Sequence, residues 1–491
     1  MMPLSLRALA LLGLAGATAA VTLSVANTGG NATSPYMYGI MFEDINQSGD
    51  GGLYAELIRN RAFQNGTLDS WSAVGGATLT LDTSTPLSQA LPRSVKVTGG
   101  KGTVGLKNPG YSGIDVKQTN KYSGSFYSYG AYGGSFTVSL YQVQSVAHAW
   151  TQHKYELRPI KSAANSNNSF VLEFHSGKKT EFKFNLISLF PPTLIRERSP
   201  LTLRDTFRYQ TYKNRPNGMR RDLMEKLADL KPSFLRIPGG NNIEGDFFPN
   251  VWNWTATVGP LTDRRGRLGT WTYYNTDGLG LVEYMHWAED HLWGGLDSYK
   301  SYRLRLFYDV IKAKYPDIFI FSSTAEYMYK ESGRDYHLYT RPDYFVSQFD
   351  QFDRWSAGMP IIIGEYGTIQ NNTLTGKVED ADWNATKNQW SNWIGSVAEA
   401  VYLLGAERNG DRIWGTTFAP LFQNLNSYQW ASDLIAFTAD PADTTPSVSY
   451  PIIKPGAKAK LTVLSADSPW AHNTPQNKDV VITTVNNEVI P

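Results

Sequence analysis

The stretch Pro360-Ile361-Ile362-Ile363-Gly364-Glu365-Tyr366 constrains the fold of this chain more than any other. Three consecutive isoleucines favour a strand, because branching at Cβ suits extended backbone. The apolar run has no polar face to offer water, so the strand is covered on both sides, as in a parallel sheet. Glu365 then stands at the carboxyl end of the strand, after a glycine that lets the backbone turn or a ligand approach. In α/β barrels that end of the sheet carries the chemistry. A lone strand-end acid can equally be a solvated carboxylate, and the rest of the chain must separate the two.

The same rhythm recurs along the chain. Leu223, Met224, Leu227 and Leu230 have helical spacing and precede a strand over Ser233 to Ile237 and the loop Pro238-Gly239-Gly240-Asn241-Asn242. Tyr302, Leu306 and Val310 mark a helix before a strand at Ile318 to Ser322, and His337-Leu338-Tyr339 follows. Trp390, Ile394, Val397, Val401 and Leu404 predict a long helix before a strand at Ile413 to Phe418. A first strand is predicted over Tyr36 to Ile45, with Glu43 near its end, and a short helix over Leu53 to Arg61. Strands alternating with helices predict an α/β fold, a (β/α)8-type barrel.

The texture changes between 66 and 190. Ser94 to Val97, Ser135 to Tyr141, Phe170 to Phe174 and Phe182 to Leu189 are strand-like and separated by Gly and Asn clusters, which predicts an inserted β-sandwich. Such a module either binds carbohydrate or is purely structural. Leu194 to Thr211 packs four arginines and matches neither neighbour; it is an atypical insertion or a basic surface loop. Beyond 439, short strands at Lys460 to Leu464 and Val480 to Val485 are too few for a sandwich of their own. The predicted organisation is 1–20 signal peptide, 21–65 first barrel strand and lead-in, 66–190 sandwich, 194–211 insertion, 212–438 barrel, and 439–491 a truncated C-terminal β-sandwich.

A net charge of +2 gives no electrostatic reason to expect nucleic acid or an anionic membrane as partner. With 14 Trp and 28 Tyr against 18% charged residues, the chain suits neutral, hydroxyl-rich ligands, on whose rings aromatic side chains stack. Arg7, the apolar run Ala8 to Leu14 and Ala17-Thr18-Ala19 read as a signal peptide, so secretion is expected. Asn31, Asn46, Asn65, Asn167, Asn253, Asn371 and Asn384 begin glycosylation sequons. The absence of cysteine excludes disulfides and thiol catalysis, and no pair of histidines has metal-ligand spacing, so neither a metal nor a cofactor is expected.

Carboxylates at barrel strand ends, with Asn, His, Tyr and Trp nearby, are the equipment of a glycosidase. One carboxyl protonates the leaving oxygen, and the other attacks the anomeric carbon or activates water. Glu365 is the candidate for the second role. Glu43, Asn241, His337 and Tyr339 follow strand-like runs and are candidates to bind sugar hydroxyls. Taken singly, Glu43 can be a surface acid, Asn241 a turn residue and His337 a core histidine.

Tyr38-Gly39-Ile40-Met41-Phe42-Glu43-Asp44-Ile45, Gly51 to Arg61, Phe234-Leu235-Arg236-Ile237-Pro238-Gly239-Gly240-Asn241-Asn242 and Gly364-Glu365-Tyr366 together resemble fungal α-L-arabinofuranosidases of glycoside hydrolase family 51. The likeness spans nearly the whole chain after the N-terminal segment. It implies a secreted, retaining enzyme that removes terminal arabinofuranosyl groups from the arabinan and arabinoxylan of plant cell walls. It puts the nucleophile on Glu365 and first-subsite sugar contacts on Glu43 and Asn241. His337 and Tyr339 match the pair after the sixth strand, where the tyrosine lies near the nucleophile. The sandwich insertion is a family feature.

Three departures stand against that pattern. The family's acid/base glutamate lies in a Gly-Asn-Glu motif after the fourth strand, and no Gly-Asn-Glu occurs in this chain. Helix-like Leu281 to Asp290 runs directly into His291 to Tyr299, so barrel strands three and four are expected to be missing. Glu289 either closes that helix or keeps the acid/base position, with Ala288 in place of asparagine. Leu194 to Thr211 and the shortened C-terminal sandwich are the other two. One hypothesis is a retained intron with skipped exons; a transcript that reads straight through Asp290-His291 and contains Leu194 to Thr211 would refute it. The alternative reading is a catalytically impaired homologue that at most binds carbohydrate.

Overall fold

The computed structural model describes residues 30–138, 141–145, 149–177, 180–192, 218–245, 250–285, 302–322, 329–355, 358–427, 429–430, 433–446, 459–465, 468, 472 and 482–488. The N-terminal segment 1–20, the insertion 194–211 and Glu289 lie outside these residues.

A parallel arc of strands is built around the isoleucine run. Strand β1 (Ile40–Met41) opens it. Ten strands then form the insertion: β2 (Ser72–Val74), β3 (Thr78–Asp82), β4 (Ser94–Gly99), β5 (Gly102–Asn108), β6 (Tyr122–Tyr129), β7 (Tyr132–Val138), β8 (Tyr141–Ser145), β9 (Trp150–Leu157), β10 (Phe170–Ser176) and β11 (Thr180–Phe190). They make two five-stranded sheets, ordered β2-β5-β10-β7-β8 and β3-β4-β11-β6-β9. Alternation explains the core. Along β10, Phe170, Leu172 and Phe174 are buried while Glu173 and His175 are not. Phe126, Phe136, Phe174, Phe182 and Phe184 meet between the sheets, with Phe136 edge-on to Phe182 at 5.5 Å and Phe174 to Phe182 at 4.9 Å.

The arc resumes after the insertion. Helix α1 (Arg221–Leu230) buries Leu223, Met224 and Leu227, and β12 (Leu235–Arg236) follows. Then come the short helix α2 (Gly240–Glu244), the hairpin β13 (Arg267–Leu268) and β14 (Tyr274–Asn275), and helix α3 (Tyr302–Lys314). Next are β15 (Phe321–Ser322), β16 (Gly333–Thr340), α4 (Pro342–Ser347), β17 (Ile361–Thr368), α5 (Trp393–Glu407) and β18 (Ile413–Phe418). β1 pairs in parallel with β12, and β15-β16-β17-β18 form a parallel sheet. The Tyr38–Thr416 bridge and the Gly39 N–H bond to the Thr416 carbonyl, 3.0 Å, join the two. The order is therefore β12-β1-β18-β17-β16-β15. Among the described residues no strand joins β12 to β15 and the arc is open there. Beyond it β19 (Phe422–Asn424), β20 (Ile435–Phe437) and β21 (Thr445–Pro446) make a small sheet, and β22 (Ala459–Ser465) pairs with β23 (Ile482–Glu488).

One sequence expectation fails on local grounds, and another, the long helix before the strand Ile413 to Phe418, is met with a different buried face. Leu53 to Arg61 is not a helix. Its backbone is used by distant segments instead: the Ala55 N–H donates to Gly218 at 2.8 Å, the Leu57 N–H to Leu189 at 2.8 Å, and the Arg220 N–H to Leu53 at 2.7 Å. The other concerns α5, whose buried face carries Ala398, Glu399, Tyr402, Leu403 and Ala406, while Val397 and Leu404 are exposed. Sequons fare unequally: Asn46 is fully buried and its Oδ1 accepts the backbone N–H of Gln429 at 2.7 Å, so this match is fortuitous in the folded chain.

Candidate active site

Glu365 reaches the site through a bulge. Tyr336 pairs with Ile363 and His337 with Glu365, which leaves Gly364 as the extra residue on β17. The Thr417 hydroxyl ties down the Gly364 carbonyl at 2.5 Å. Glycine is required there for space, since a Cβ would lie 2.0 Å from Asp335 Oδ1. The bulge re-aims the acid while the isoleucines stay in register with β16.

Both oxygens of Glu365 are engaged. Arg236 Nη1 donates to Oε1 at 3.0 Å and the Tyr339 hydroxyl to Oε2 at 2.8 Å. His337 Nδ1 stands 3.5 Å from Oε2. Beneath them, buried Asp335 accepts from Arg236 Nη2 at 3.2 Å and lies 3.2 Å from His337 Nε2. Burial pushes the Asp335 carboxyl up, but Arg236 and His337 outweigh it and hold it below its ordinary value. Burial likewise works against the His337 imidazolium, while Glu365 and Asp335 raise its pKa on balance. The Tyr339 phenol is pushed well up by burial and by the Glu365 charge beside it.

Glu43 forms the other side. The turn Pro238-Gly239-Gly240 brings the Asn242 N–H to Glu43 Oε1 at 2.7 Å, and Trp271 Nε1 donates to the same oxygen at 2.8 Å. Gly240 has φ +55°, and a Cβ on it would sit 2.0 Å from Glu43 Oε2. Burial and the nearby Glu365 charge push the Glu43 pKa up, well above its ordinary value. Trp271 comes from the tip of the β13–β14 hairpin. Its carbonyl accepts from the Gln429 side chain, and its ring faces Trp430 at 6.1 Å.

Of the residues named from sequence, Glu43, His337, Tyr339 and Glu365 meet here. Asn241 is exposed on α2, and its buried neighbour Asn242 is the one that contacts Glu43. Sequence reasoning missed Arg236, Asp335 and Trp271. Two left a signal: Arg236 is a cation inside the apolar run Phe234 to Ile237, and Asp335 precedes His337 by one strand repeat. Among the described residues no group of three or more His, Cys, Asp or Glu side chains is arranged to hold a metal. No helix among them is long and apolar enough to cross a membrane.

Known proteins place this arrangement in context. The α-L-arabinofuranosidase 1 domain matches residues 226–295. α-L-Arabinofuranosidase A of Aspergillus kawachii is 35% identical over 529 residues, covering 88% of this chain and 78% of that one. The Aspergillus niger protein of the same name is 34% identical with the same coverage. α-L-Arabinofuranosidase 1 of Arabidopsis thaliana is 28% identical, covering 87% of this chain and 73% of its own. An arabinose-bound family 51 α-L-arabinofuranosidase structure superposes with a TM-score of 0.81 at 27% identity, covering 94% of this chain and 96% of that chain.

Proposed function

This chain belongs to the α-L-arabinofuranosidases of glycoside hydrolase family 51, and from that premise we propose that Glu365 is the nucleophile of a retaining mechanism. The activity is hydrolysis of terminal α-L-arabinofuranosyl groups. One observation carries the assignment of Glu365: it is a carboxylate in the carboxyl half of β17, held on both oxygens by Arg236 and Tyr339, opposite a second buried acid, Glu43.

The geometry supports the following sequence. Glu365 attacks the anomeric carbon, and the bond to the leaving oxygen breaks as that oxygen takes a proton from a second acid. Water, deprotonated by the same group, then cleaves the glycosyl ester and returns Glu365 to its carboxylate form. The second acid is assigned to Glu289, which must come within about 5 Å of Glu365 for this chemistry. Glu43 is assigned to the sugar. Its Oε1 accepts two N–H bonds, which leaves Oε2 to carry the proton and donate to a ring hydroxyl. Asn241 and His337 are further sugar contacts, and Tyr339 holds Glu365 in line. No cofactor enters the scheme. We assign the chain to the extracellular space on its signal-like N-terminus and its exposed sequons at Asn167, Asn253, Asn371 and Asn384. The natural substrates are the arabinan and arabinoxylan of plant cell walls.

Release of p-nitrophenol from its α-L-arabinofuranoside by the full chain, abolished by Glu365→Gln, is the expected result. Among the described residues the arc is open between β12 and β15, which favours a second reading, a homologue that binds sugar without turning it over. No release, with retained binding to arabinoxylan, would support that reading.

A further inference from the structure

A hollow of about 480 Å³ opens between the lead-in to the sandwich and the base of the β13–β14 hairpin. Phe63, Gln64 and Arg93 line it from the sandwich side, and Arg265, Arg267, Leu268 and Tyr274 from the hairpin side. Glu43, Trp271 and Glu365 take no part in it, so it is separate from the acids. Three guanidinium groups share this lining, and no acid is among the lining residues. The whole chain has 46 basic against 44 acidic side chains, so the one-sign cluster is a local feature.

Structural duties do not account for these cations. Arg267 Nη1 donates to Asn242 Oδ1 at 3.2 Å and to the Asn250 carbonyl at 3.3 Å, but its Nε is buried and makes no hydrogen bond. Burial raises the carboxyls of Asp44 and Asp277, and the Arg267 charge counters it, so this cation is in part offset. Arg93 and Arg265 are not. Arg93 has one long bond, from Nη1 to the Gln64 carbonyl at 3.4 Å. Among the described residues neither forms an ion pair, and Arg265 donates no side-chain hydrogen bond. Both act on one ring: burial raises the Tyr274 phenol, and the Arg265 and Arg93 charges work against it. Small-molecule sites have volumes of roughly 300–1,000 Å³, and an inorganic anion would leave most of this one unfilled.

We propose that the hollow binds a hexuronate, with its carboxylate on Arg93 and Arg265 and its ring against Tyr274 and Leu268. A guanidinium presents paired N–H donors that match the two oxygens of a carboxylate. Gln89, also in the lining, adds an amide for a ring hydroxyl. The choice of an acidic sugar rests on the reading of the substrates as plant cell-wall polysaccharides; it does not use Glu365. Leu268 in the hollow and Trp271 against Glu43 belong to one hairpin, so a polymer held here by an acidic unit has its neutral branches near the acids.

Calorimetry on the full chain at low salt compares α-1,4-linked digalacturonate, its dimethyl ester and inorganic phosphate. Digalacturonate binds, and esterification, which removes both charges, weakens it about tenfold or more. Phosphate binds more weakly than digalacturonate. Arg93→Gln combined with Arg265→Gln reproduces the tenfold loss and leaves release of p-nitrophenol from its α-L-arabinofuranoside unchanged. No binding of digalacturonate, equal binding of acid and ester, phosphate binding as tight as digalacturonate, or undiminished binding by the double variant overturns the proposal. The comparison of acid with ester needs no variant, so it decides the matter even where the double variant does not fold. Absence of p-nitrophenol release by the unaltered chain counts against the reading of Glu365 alone, and the same comparison still decides this site.

Discussion

The sandwich and the parallel arc bury opposite kinds of groups. Between β2 and β11 no described carboxylate is buried; the polar residues inside are Ser94, Asn108, Ser128, His153, Ser176, Lys183, Asn185 and Ser188. The arc, its lead-in and its loops bury Glu43, Glu56, Asp277, Asp335, Glu365, Glu399 and Asp433. Buried carboxylates cost folding free energy unless paired or kept neutral. The sandwich avoids that cost with phenylalanines. The arc accepts it where Arg236, His337 and Tyr339 converge on Glu365, which is where a charge-handling reaction needs it.

The largest effect that can break this contrast is on chemistry. Glu365→Gln lowers turnover of p-nitrophenyl α-L-arabinofuranoside on the order of ten-thousandfold or more, because the attacking oxygen is lost. Phe136→Ala, deep in the sandwich, changes nothing at the site but costs about 3–5 kcal/mol of stability in denaturant titration. If Phe136→Ala slowed turnover at full occupancy of the folded state, the two regions would not be separable.

Asp335→Asn comes next. It leaves the fold's size unchanged but loosens Arg236 and His337 from beneath Glu365. We expect a loss in kcat/KM on the order of a hundredfold, as for a misplacement of about 1 Å. The pH profile separates this from simple destabilisation. His337 loses a partner that raises its pKa, so the limb it controls moves to lower pH. An unmoved profile with lower amplitude would assign Asp335 a purely structural role.

The smallest effect is on stability against pH, where the regions should move in opposite senses. Burial raises the pKa of Glu43 to about 8, of Asp44 to about 6, and of Asp277, Glu399 and Asp433 to about 7 each. Such acids bind more protons folded than unfolded. Their contribution is complete below the unfolded pKa, about 4, and is lost as pH rises through 6 to 8. His153 in the sandwich is the reverse: burial lowers its pKa, so the sandwich loses stability as pH falls below about 6.5. Hydrogen exchange followed separately on β16–β17 and on β6–β9 from pH 5 to 8 should show protection falling in the first and rising in the second.

The two regions were also unequally legible. Strands with alternating burial announce themselves, and Phe170 to Phe174 or Phe182 to Leu189 could be placed without a partner in view. The arc was legible at its centre, where three isoleucines and a Gly-Glu pair leave little choice. It was less so wherever distant backbone decides. Leu53 to Arg61 has helical spacing but is captured by Gly218 and Leu189. Helix α5 is apolar nearly all round, so spacing alone chose Val397 and Leu404, which face water, over Ala398 and Tyr402. At the site, Glu43 follows β1, while His337 and Tyr339 lie in the carboxyl half of β16 and Glu365 in that of β17, so strand pattern points to all four. Trp271 was not, because only the fold of a hairpin more than two hundred residues along the chain brings its ring to Glu43. The bond from the Asn242 N–H to Glu43 is set by the tight turn at Gly239-Gly240, which pattern does not reveal.

The central claim is that Glu365 is the attacking group and Glu43 is a sugar-binding acid. An arabinofuranose-configured epoxide tests it most directly, since it esterifies whichever carboxylate acts as nucleophile. Peptide mass mapping of the labelled full chain should place one adduct on the segment holding Glu365, with none in Glu365→Gln. An adduct on Glu43, or labelling that survives Glu365→Gln, would contradict it.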